Sequence, residues 1–324
     1  MYLSVLIVNW NSKDYLRRCL HTIRETCAEF RPQIVVVDAA SFDGSKGMID
    51  EEFPEVEFIQ CQENLGFARS NNIGFKRVRG EYLLLLNPDT ELKKHAVENL
   101  LDVFRKHPDI GIAGPRILNT DGSLQTSCVQ ALPTPINQAV DSEFLRRLFP
   151  KSNLWGVWEA FRATEPCEVE AISGACMLLK SQTFRELGGF CPDYFMYAED
   201  MDLCYRVKRM GLKIYHVPSA VIIHHGGGSS TKQPNDFSIV AMREANYIYF
   251  IKNQGFLSAK LYVILQCFSA FMRLGIMLPV FVLSKYYRGE SMRYSFLKWK
   301  IILRWAIKKI ELGSSKSHLD FLLK

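Results

Sequence analysis

The sequence predicts an open α/β protein, and three observations carry that prediction. Short apolar, β-branched runs recur along the chain, as over residues 3–8 and 33–38. Continuous runs of this length suit strands buried on both faces of a sheet. Between the first two lie Tyr15, Leu16, Cys19, Leu20 and Ile23 at helical spacing, so the opening reads β-α-β, the right-handed unit of a parallel sheet. Finally, polar residues interrupt the apolar runs at their carboxyl ends, where open α/β sheets bind ligands.

The alternation continues with a strand over 56–59, a helix over 67–78, a strand over 82–86, a helix over 96–104 and a strand over 110–113. From 122 to 166 the pattern weakens among Pro133, Pro135, Trp155, Trp158 and Phe161, and no element is assigned there. Such insertions often carry specificity. Regularity returns with a strand over 171–179, helices over 183–187 and 199–210, and short strands near Ile214 and Val221.

At 324 residues, 48% hydrophobic and 23% charged, with 20 Gly and 13 Pro, the chain is ordinary globular material. Collagen-like, low-complexity and wholly disordered classes are excluded. The charge is uneven. From position 285 onward there are 10 Lys+Arg against 3 Asp+Glu, so the net +6 belongs to the tail and points to an anionic partner for it. Nine cysteines, an odd number with no C-x-x-C pair, favour a reducing compartment. The first apolar run has no basic lead-in and no small-residue cleavage site, and reads as a strand, not a secretory signal.

Four clusters mark the strand ends: Asn9-Trp10-Asn11; Asp38, followed by Asp43-Gly44-Ser45; Asn87-Pro88-Asp89; and Glu199-Asp200 with Asp202. Asp38 can accept hydrogen bonds from a base edge or ribose, whereas Asp43 reads as a turn or helix-cap residue. Pro88 stiffens the turn that carries Asp89 to the sheet edge. There Asp89 suits a hard divalent cation, which needs few protein carboxylates when substrate phosphates complete its shell; the competing reading is a cap for a helix after Thr90. The acids at 199–202 complement a helix N-terminus, and equally offer a general base. His224-His225-Gly226-Gly227-Gly228 pairs two imidazoles with a loop open to close phosphate approach. No P-loop and no G-x-G-x-x-G follows the first strand, which counts against a P-loop kinase or a dinucleotide dehydrogenase.

Taken in order, SVLIVNWN, VVVDAASFDGS, ENLGFARSNNIG, YLLLLNPDTEL, ISGACMLLK, LGGF, FMYAEDMDLCYRV and HHGGGSS closely resemble the family 2 inverting glycosyltransferases, in particular bacterial rhamnosyltransferase-like members, over residues 2–253. The resemblance implies a GT-A fold: a Rossmann-like, mixed but mostly parallel sheet flanked by helices, here with a C-terminal amphipathic helical extension. It implies a nucleoside-diphosphate sugar donor and a Mg or Mn cation. By it, Asn9, Trp10 and Asp38 would lie at the nucleoside, and Asn64, Gly66, Arg69 and Asn72 would form the donor-side loop, with Arg69 at the diphosphate. Asn87 and Asp89 stand for the D-x-D motif, Asp89 and His224 (or His225) would bind metal, Asp200 would be the base, and Glu199 would support it. Two departures are visible. Ala39 stands where the family commonly has Asn, and Asn87 replaces the first acid of the motif, so weak metal dependence is one expectation. A catalytically lapsed sugar-nucleotide-binding or scaffold protein is the alternative function. A sugar nucleotidyltransferase ranks last, because Asn9-Trp10-Asn11-Ser12 stands where a glycine-rich activation loop belongs.

The expected domains are a catalytic unit over 1–253 and a basic amphipathic membrane-association region over 254–324. Residues 261–283 are apolar around a central Arg273, with Gln266 and Ser269 nearby, and the flanking uncharged stretches are shorter than a span requires. An interfacial or re-entrant segment is expected. Beyond it, Phe296, Trp299, Leu303, Ala306 and Ile310 form one stripe, and Arg293, Lys300, Arg304 and Lys308 the opposite one. Trp299 and Trp305 suit a headgroup interface. The expected partners are the donor, a lipid-linked or glycan acceptor and an anionic membrane surface, with a homo-oligomer left open. No nucleic acid is expected, since no recognised binding module accompanies the charge. The expected location is cytoplasmic, peripheral on the inner face of the cell membrane.

Overall fold

The computed structural model describes residues 2–141, 143–149, 151, 152, 154, 155, 157–226, 236–283 and 290–312. The glycine loop beyond Gly226 and both ends of the basic tail lie outside them. In chain order the first elements are β1 (Leu3–Asn9), α1 (Lys13–Thr26), β2 (Gln33–Asp38), α2 (Ser45–Glu52), β3 (Glu57–Gln60), α3 (Gly66–Phe75), β4 (Tyr82–Leu86), β5 (Thr90–Leu92), α4 (Ala96–Lys106) and β6 (Ile110–Leu118). The irregular middle holds β7 (Val129–Gln130), α5 (Pro135–Val140), α6 (Glu143–Leu148) and α7 (Trp158–Arg162). It is followed by β8 (Cys167–Val169), β9 (Ala171–Ile172), β10 (Cys176–Lys180), α8 (Ser181–Glu186), α9 (Glu199–Arg209) and β11 (Lys213–His224). The chain then turns helical through α10 (Asp236–Gln254), α11 (Phe256–Leu283) and α12 (Glu290–Leu312).

Two compact units emerge, one of residues 1–132 and 151–232, the other of 133–150 and 233–324. The first is built on a sheet in the order β3-β2-β1-β4-β10-β6-β11-β5, with β8 added to β11. The pairs β1 with β2, β1 with β4, β2 with β3 and β6 with β11 are parallel; β10, β5 and β8 run antiparallel to their neighbours. This is the mixed, mostly parallel sheet expected. Strands β1, β2 and β4 are buried from end to end, which is why they read as unbroken apolar runs. Helix α1 buries the Leu16, Cys19, Leu20 and Ile23 face that its spacing predicted. All nine cysteines are free thiols, and burial pushes Cys19 up to about 12, which makes it a core residue and not a nucleophile.

Three local expectations are corrected. The single strand over 171–179 breaks into β9 and β10 at Ser173–Ala175, where the backbone turns to serve the site described below. The two short strands near Ile214 and Val221 are one strand, β11, with a register shift between Val217 and Val221. Asp89 caps no helix: Thr90–Leu92 forms β5, antiparallel to β11, and α4 starts only after His95.

Among its described residues the second unit holds helices and no strand. It takes in α10, which the sequence reading gave to the catalytic domain through position 253, and α5 and α6 from the irregular middle. Three polar residues of helix α11 engage one partner. Gln266 donates to the Gln138 carbonyl at 2.8 Å, Ser269 to the Ala139 carbonyl at 2.7 Å and Arg273 to the Asp141 carbonyl at 3.1 Å, all at the carboxyl end of α5, where unpaired carbonyls favour such donors. The Arg273 guanidinium also lies 4.1 Å over the Trp299 ring. Within α12 the buried residues are Ile301, Ile302, Trp305, Ala306 and Lys309, rotated from the predicted stripe, in which Ile310 is exposed. The rotation has a polar cause: Glu244 of α10 is buried and draws in both the Trp305 indole N–H and the Lys309 ammonium, each at 2.8 Å. Trp305 is therefore an interior residue, 2% exposed, and not a headgroup anchor. Arg293, Lys300, Arg304 and Lys308 are exposed as expected.

Candidate active site

The sheet gathers the polar strand ends along one edge. Asn9 at the end of β1 is in register with Asp38 at the end of β2, and Ile7 with Leu86 of β4, so the segment leaving β4 runs beside both. Because β10 is antiparallel to β4, its first residue, Cys176, lies opposite Leu86. The Asn87 N–H then donates to the Ala175 carbonyl at 2.9 Å, and one residue back the Gly174 N–H donates to Asp200 Oδ2, also at 2.9 Å. On the far side of the Asn87-Pro88-Asp89 turn, His224 is in register with Thr90. Asp38, Asp89, Asp200 and His224 are thus joined into one edge by short, continuous hydrogen-bonded links.

At the β1–β2 end the acid is held by its neighbours. Asp38 is 1% exposed and accepts from Asn9 Nδ2 at 2.7 Å, the Ser41 N–H at 2.7 Å and Gln60 Nε2 at 2.8 Å. Asn9 is buried, and its Oδ1 finds no hydrogen-bond partner in the structure; a buried acceptor left open costs free energy unless a ligand donates to it. Trp10 follows at 36% exposure. Asp43 accepts the Ser45 N–H at 3.1 Å in the turn that opens α2, where it was expected, and also the Lys13 N–H at the start of α1 at 2.8 Å. Gln60, Ser41 and Ser45 (the last hydrogen-bonded to Asn9 at 3.0 Å) complete this end, and no sequence motif singled out Gln60.

The central pair is Asp89 and His224. His224 Nε2 lies 3.1 Å from Asp89 Oδ1, and its Nδ1 lies 2.7 Å from Gln125 Oε1. His225 turns the other way, to Glu91 at 2.8 Å and the Tyr15 ring at 5.1 Å. The geometry therefore separates the two histidines: His224 faces the Asp89 carboxylate and His225 does not. Among the described residues no group of three His, Cys, Asp or Glu side chains forms a metal cage. The Asp89–His224 pair nevertheless fits a hard divalent ion. Two cis ligands at ~2.1 Å on an octahedral ion stand roughly 3 Å apart, and such ions take one or two protein ligands plus substrate phosphates. Asn87 Oδ1, buried without a partner, adds a neutral acceptor beside them.

Glu199 and Asp200 open α9 behind two residues of positive φ, Tyr197 at 73° and Ala198 at 59°, a left-handed conformation that non-glycine residues adopt at a cost. Asp200 is held by the Gly174 and Met201 N–H groups at 2.9 and 2.8 Å. Burial nevertheless pushes it above the usual carboxylate range. Burial, then the Asp200 charge, pushes Glu199 up to about 8, and Glu199 Oε2 is buried without a partner. Asp202 instead pairs with Arg206 at 2.7 Å and is structural.

The four donor-side residues of the sequence reading have visible work inside the protein. Asn64 Oδ1 accepts the Gly66 N–H at 2.9 Å. Gly66 has φ +79°, and a Cβ there would fall 2.2 Å from the Phe195 carbonyl oxygen. Arg69 Nε donates to the Pro192 carbonyl at 2.9 Å. Asn72 makes a reciprocal pair with the Phe190 backbone at 2.7 and 2.9 Å. Together they bolt the start of α3 to the 189–195 segment that leads into Glu199 and Asp200.

Comparison with known proteins bears on the family and the fold. Residues 4–164 match the model of glycosyl transferase family 2. The chain is 29% identical over 261 residues to the N-acetylglucosaminyl-diphospho-decaprenol L-rhamnosyltransferase of Mycobacterium tuberculosis, covering 76% of this chain and 83% of the relative. It is 25% identical over 234 residues to the rhamnosyltransferase WbbL of Escherichia coli, covering 68% and 82%. Among solved structures, the mannosyltransferase PcManGT of Pyrobaculum calidifontis, in complex with GDP-Man and Mn2+, matches with a TM-score of 0.61 at 16% identity over 96% of this chain and 88% of that one.

Proposed function

This chain belongs to glycosyl transferase family 2 and has the GT-A fold, and from that premise we propose that it transfers L-rhamnose from a thymidine-diphosphate donor to a hydroxyl of a lipid-linked glycan, with inversion. The observation that carries the reading is Asp200, fixed by the Gly174 N–H one residue from the strand end that positions Asn87 and Asp89. The rhamnosyltransferase relatives, one named for a diphospho-decaprenol substrate, support the sugar and the acceptor class.

Asn9 and Asp38 line the nucleoside end, with the open Asn9 Oδ1 awaiting a donor. Asp89 and His224 would hold the divalent cation, which when bound neutralises charge developing on the leaving diphosphate. Asp200 accepts the proton of the acceptor hydroxyl as its oxygen bonds to the anomeric carbon and the bond to the diphosphate breaks on the opposite face. A carboxylate lifted by burial is a better proton acceptor than an exposed one. Protonated Glu199 beside it removes the repulsion of a second negative charge.

Outside the catalytic unit, the outward face of α11 carries Leu257, Leu261, Ile264, Phe268, Phe271 and Ile276, all exposed. Its segment Phe256–Pro279 has mean hydropathy 1.8 and is long and apolar enough to cross a bilayer. With its polar stripe engaged by α5, we read it as lying half-immersed in a membrane surface, with the exposed cations of α12 on anionic headgroups.

The test is a transfer assay with thymidine- and uridine-diphosphate sugars and a polyprenyl-diphosphate-linked sugar acceptor, beside thermal shifts with and without Mn2+. Asp200→Asn is expected to lose ~10²-fold or more of turnover, the usual scale of a general base, while keeping the donor-induced shift. Unchanged turnover would remove Asp200 from the role. Donor binding without turnover in the unaltered protein would favour the lapsed, scaffold-like alternative.

A further inference from the structure

His224 has two ring nitrogens, and only an unprotonated one can ligate a metal. Which one carries the hydrogen follows from its partners. Starting away from the ring, the Asp121 carboxylate accepts the Ser123 hydroxyl hydrogen at 2.6 Å. With its hydrogen committed, Ser123 Oγ can only accept, and it receives Asn119 Nδ2 at 2.9 Å. That fixes the Asn119 amide with Oδ1 turned toward Gln125, whose Nε2 donates to it at 3.1 Å. The opposite atom of the Gln125 amide, Oε1, therefore faces His224 Nδ1 at 2.7 Å and must receive a hydrogen from it. Reversing either amide would set acceptor against acceptor or donor against donor along the chain.

We propose that Gln125 is a positioning residue for the cation site: the relay Asp121–Ser123–Asn119–Gln125 fixes His224 as the Nδ1–H tautomer and presents the Nε2 lone pair toward Asp89. This rests on the reading of Asp89 and His224 as metal ligands given above. A lone pair and a carboxylate oxygen 3.1 Å apart repel unless a cation lies between them. The same carboxylate would otherwise draw the hydrogen onto Nε2, so the relay opposes a tautomer that would close the site. Second-sphere partners of this kind typically change metal affinity 10- to 100-fold.

The experiment uses the full chain, stripped of metal and labelled on histidine nitrogen, with His224 assigned by difference against His224→Ala. At alkaline pH the unaltered protein is expected to show a protonated Nδ1 and an unprotonated Nε2. Gln125→Leu is expected to move hydrogen toward Nε2 and to raise the Mn2+ dissociation constant by roughly ten-fold or more. Gln125→Glu keeps an acceptor for Nδ1 at the expense of the Asn119 bond, and is expected to restore the tautomer and most of the affinity. An Nε2–H ring in the unaltered protein overturns the proposal, and so does Gln125→Leu with unchanged tautomer and Mn2+ affinity when His224→Ala abolishes Mn2+ binding. If His224→Ala leaves Mn2+ affinity unchanged, the metal reading is what fails; the ring measurement still decides the tautomer.

Discussion

Glu199 and Asp200 are neighbours in the chain with unequal surroundings. Asp200 has two backbone N–H donors, whereas Glu199 has a buried oxygen with none, so the proton belongs to Glu199. Its value rises from 4.5 to about 8 on folding, by burial first and the Asp200 charge second. Between those two values the native chain binds more protons than the unfolded one, so stability falls as pH rises through the window. A single group supplies at most about 1.4 kcal/mol per pH unit to that slope. Glu199→Gln is expected to flatten the decline of the denaturation midpoint between pH 5 and 8, gaining on the unaltered protein toward the alkaline end. Equal slopes for the two proteins would mean that Glu199 ionises normally. At this scale the sequence was legible where a residue type announces itself. Asp38 and Asp89 end or follow strong apolar runs and Asp200 stands in an acidic run at a helix start, whereas Gln60 and Gln125 are amides that no spacing marks.

The helical unit shows how one buried charge sets the rotation of an element. Apolar spacing in α12 selects Phe296, Trp299, Leu303, Ala306 and Ile310, yet the helix buries Trp305 and Lys309 because Glu244 waits across from them. Periodicity reads the apolar moment of a helix and is blind to a carboxylate brought from some 60 residues away in the chain. With side chains 1% and 4% exposed, Glu244 and Lys309 have given up their water. Lys309→Met therefore leaves the carboxylate buried with only the Trp305 N–H, and is expected to destabilise this unit by about 3–5 kcal/mol. The pair replaced together, Glu244→Met with Lys309→Met, is expected to lose less than the single change, because no buried charge is left over. Urea denaturation of the two variants beside the unaltered chain makes the comparison. A double variant worse than Lys309→Met alone would show that packing and the indole bond dominate. The predicted β-α alternation succeeded for the opposite reason. Strands β1, β2 and β4 are buried on both faces, so nothing polar competes with their pattern, while 122–166 stayed unreadable because it is divided between two units.

On the scale of the whole molecule, the chain joins a polar-edged sheet to a helical unit whose outward surface is unusually apolar. Leu257 is 81% exposed and Phe268 62%, a stripe that isolated soluble domains rarely keep uncovered. The central Arg273 appeared in the sequence as an argument against a full membrane span by its own helix. In the structure its charge is turned inward, onto the Asp141 carbonyl and the Trp299 ring, and the outward stripe is free of it. Each exposed Lys or Arg near an anionic leaflet adds about 1 kcal/mol, a contribution screened by salt over ~10 Å at 0.1 M, whereas apolar insertion is not screened. The two terms can be separated. The full chain is expected to sediment with phosphatidylglycerol vesicles more than with phosphatidylcholine vesicles. Raising salt should shrink that difference, and Phe268→Asp with Phe271→Asp should reduce binding to both. Charge reversal of Arg304 and Lys308 should instead abolish only the preference for anionic lipid, since these cations contribute no apolar area. If the unaltered chain stays in the supernatant and sediments as a dimer by ultracentrifugation, while the double Asp variant is monomeric, the stripe is covered by a second copy of the chain and the membrane reading is overturned.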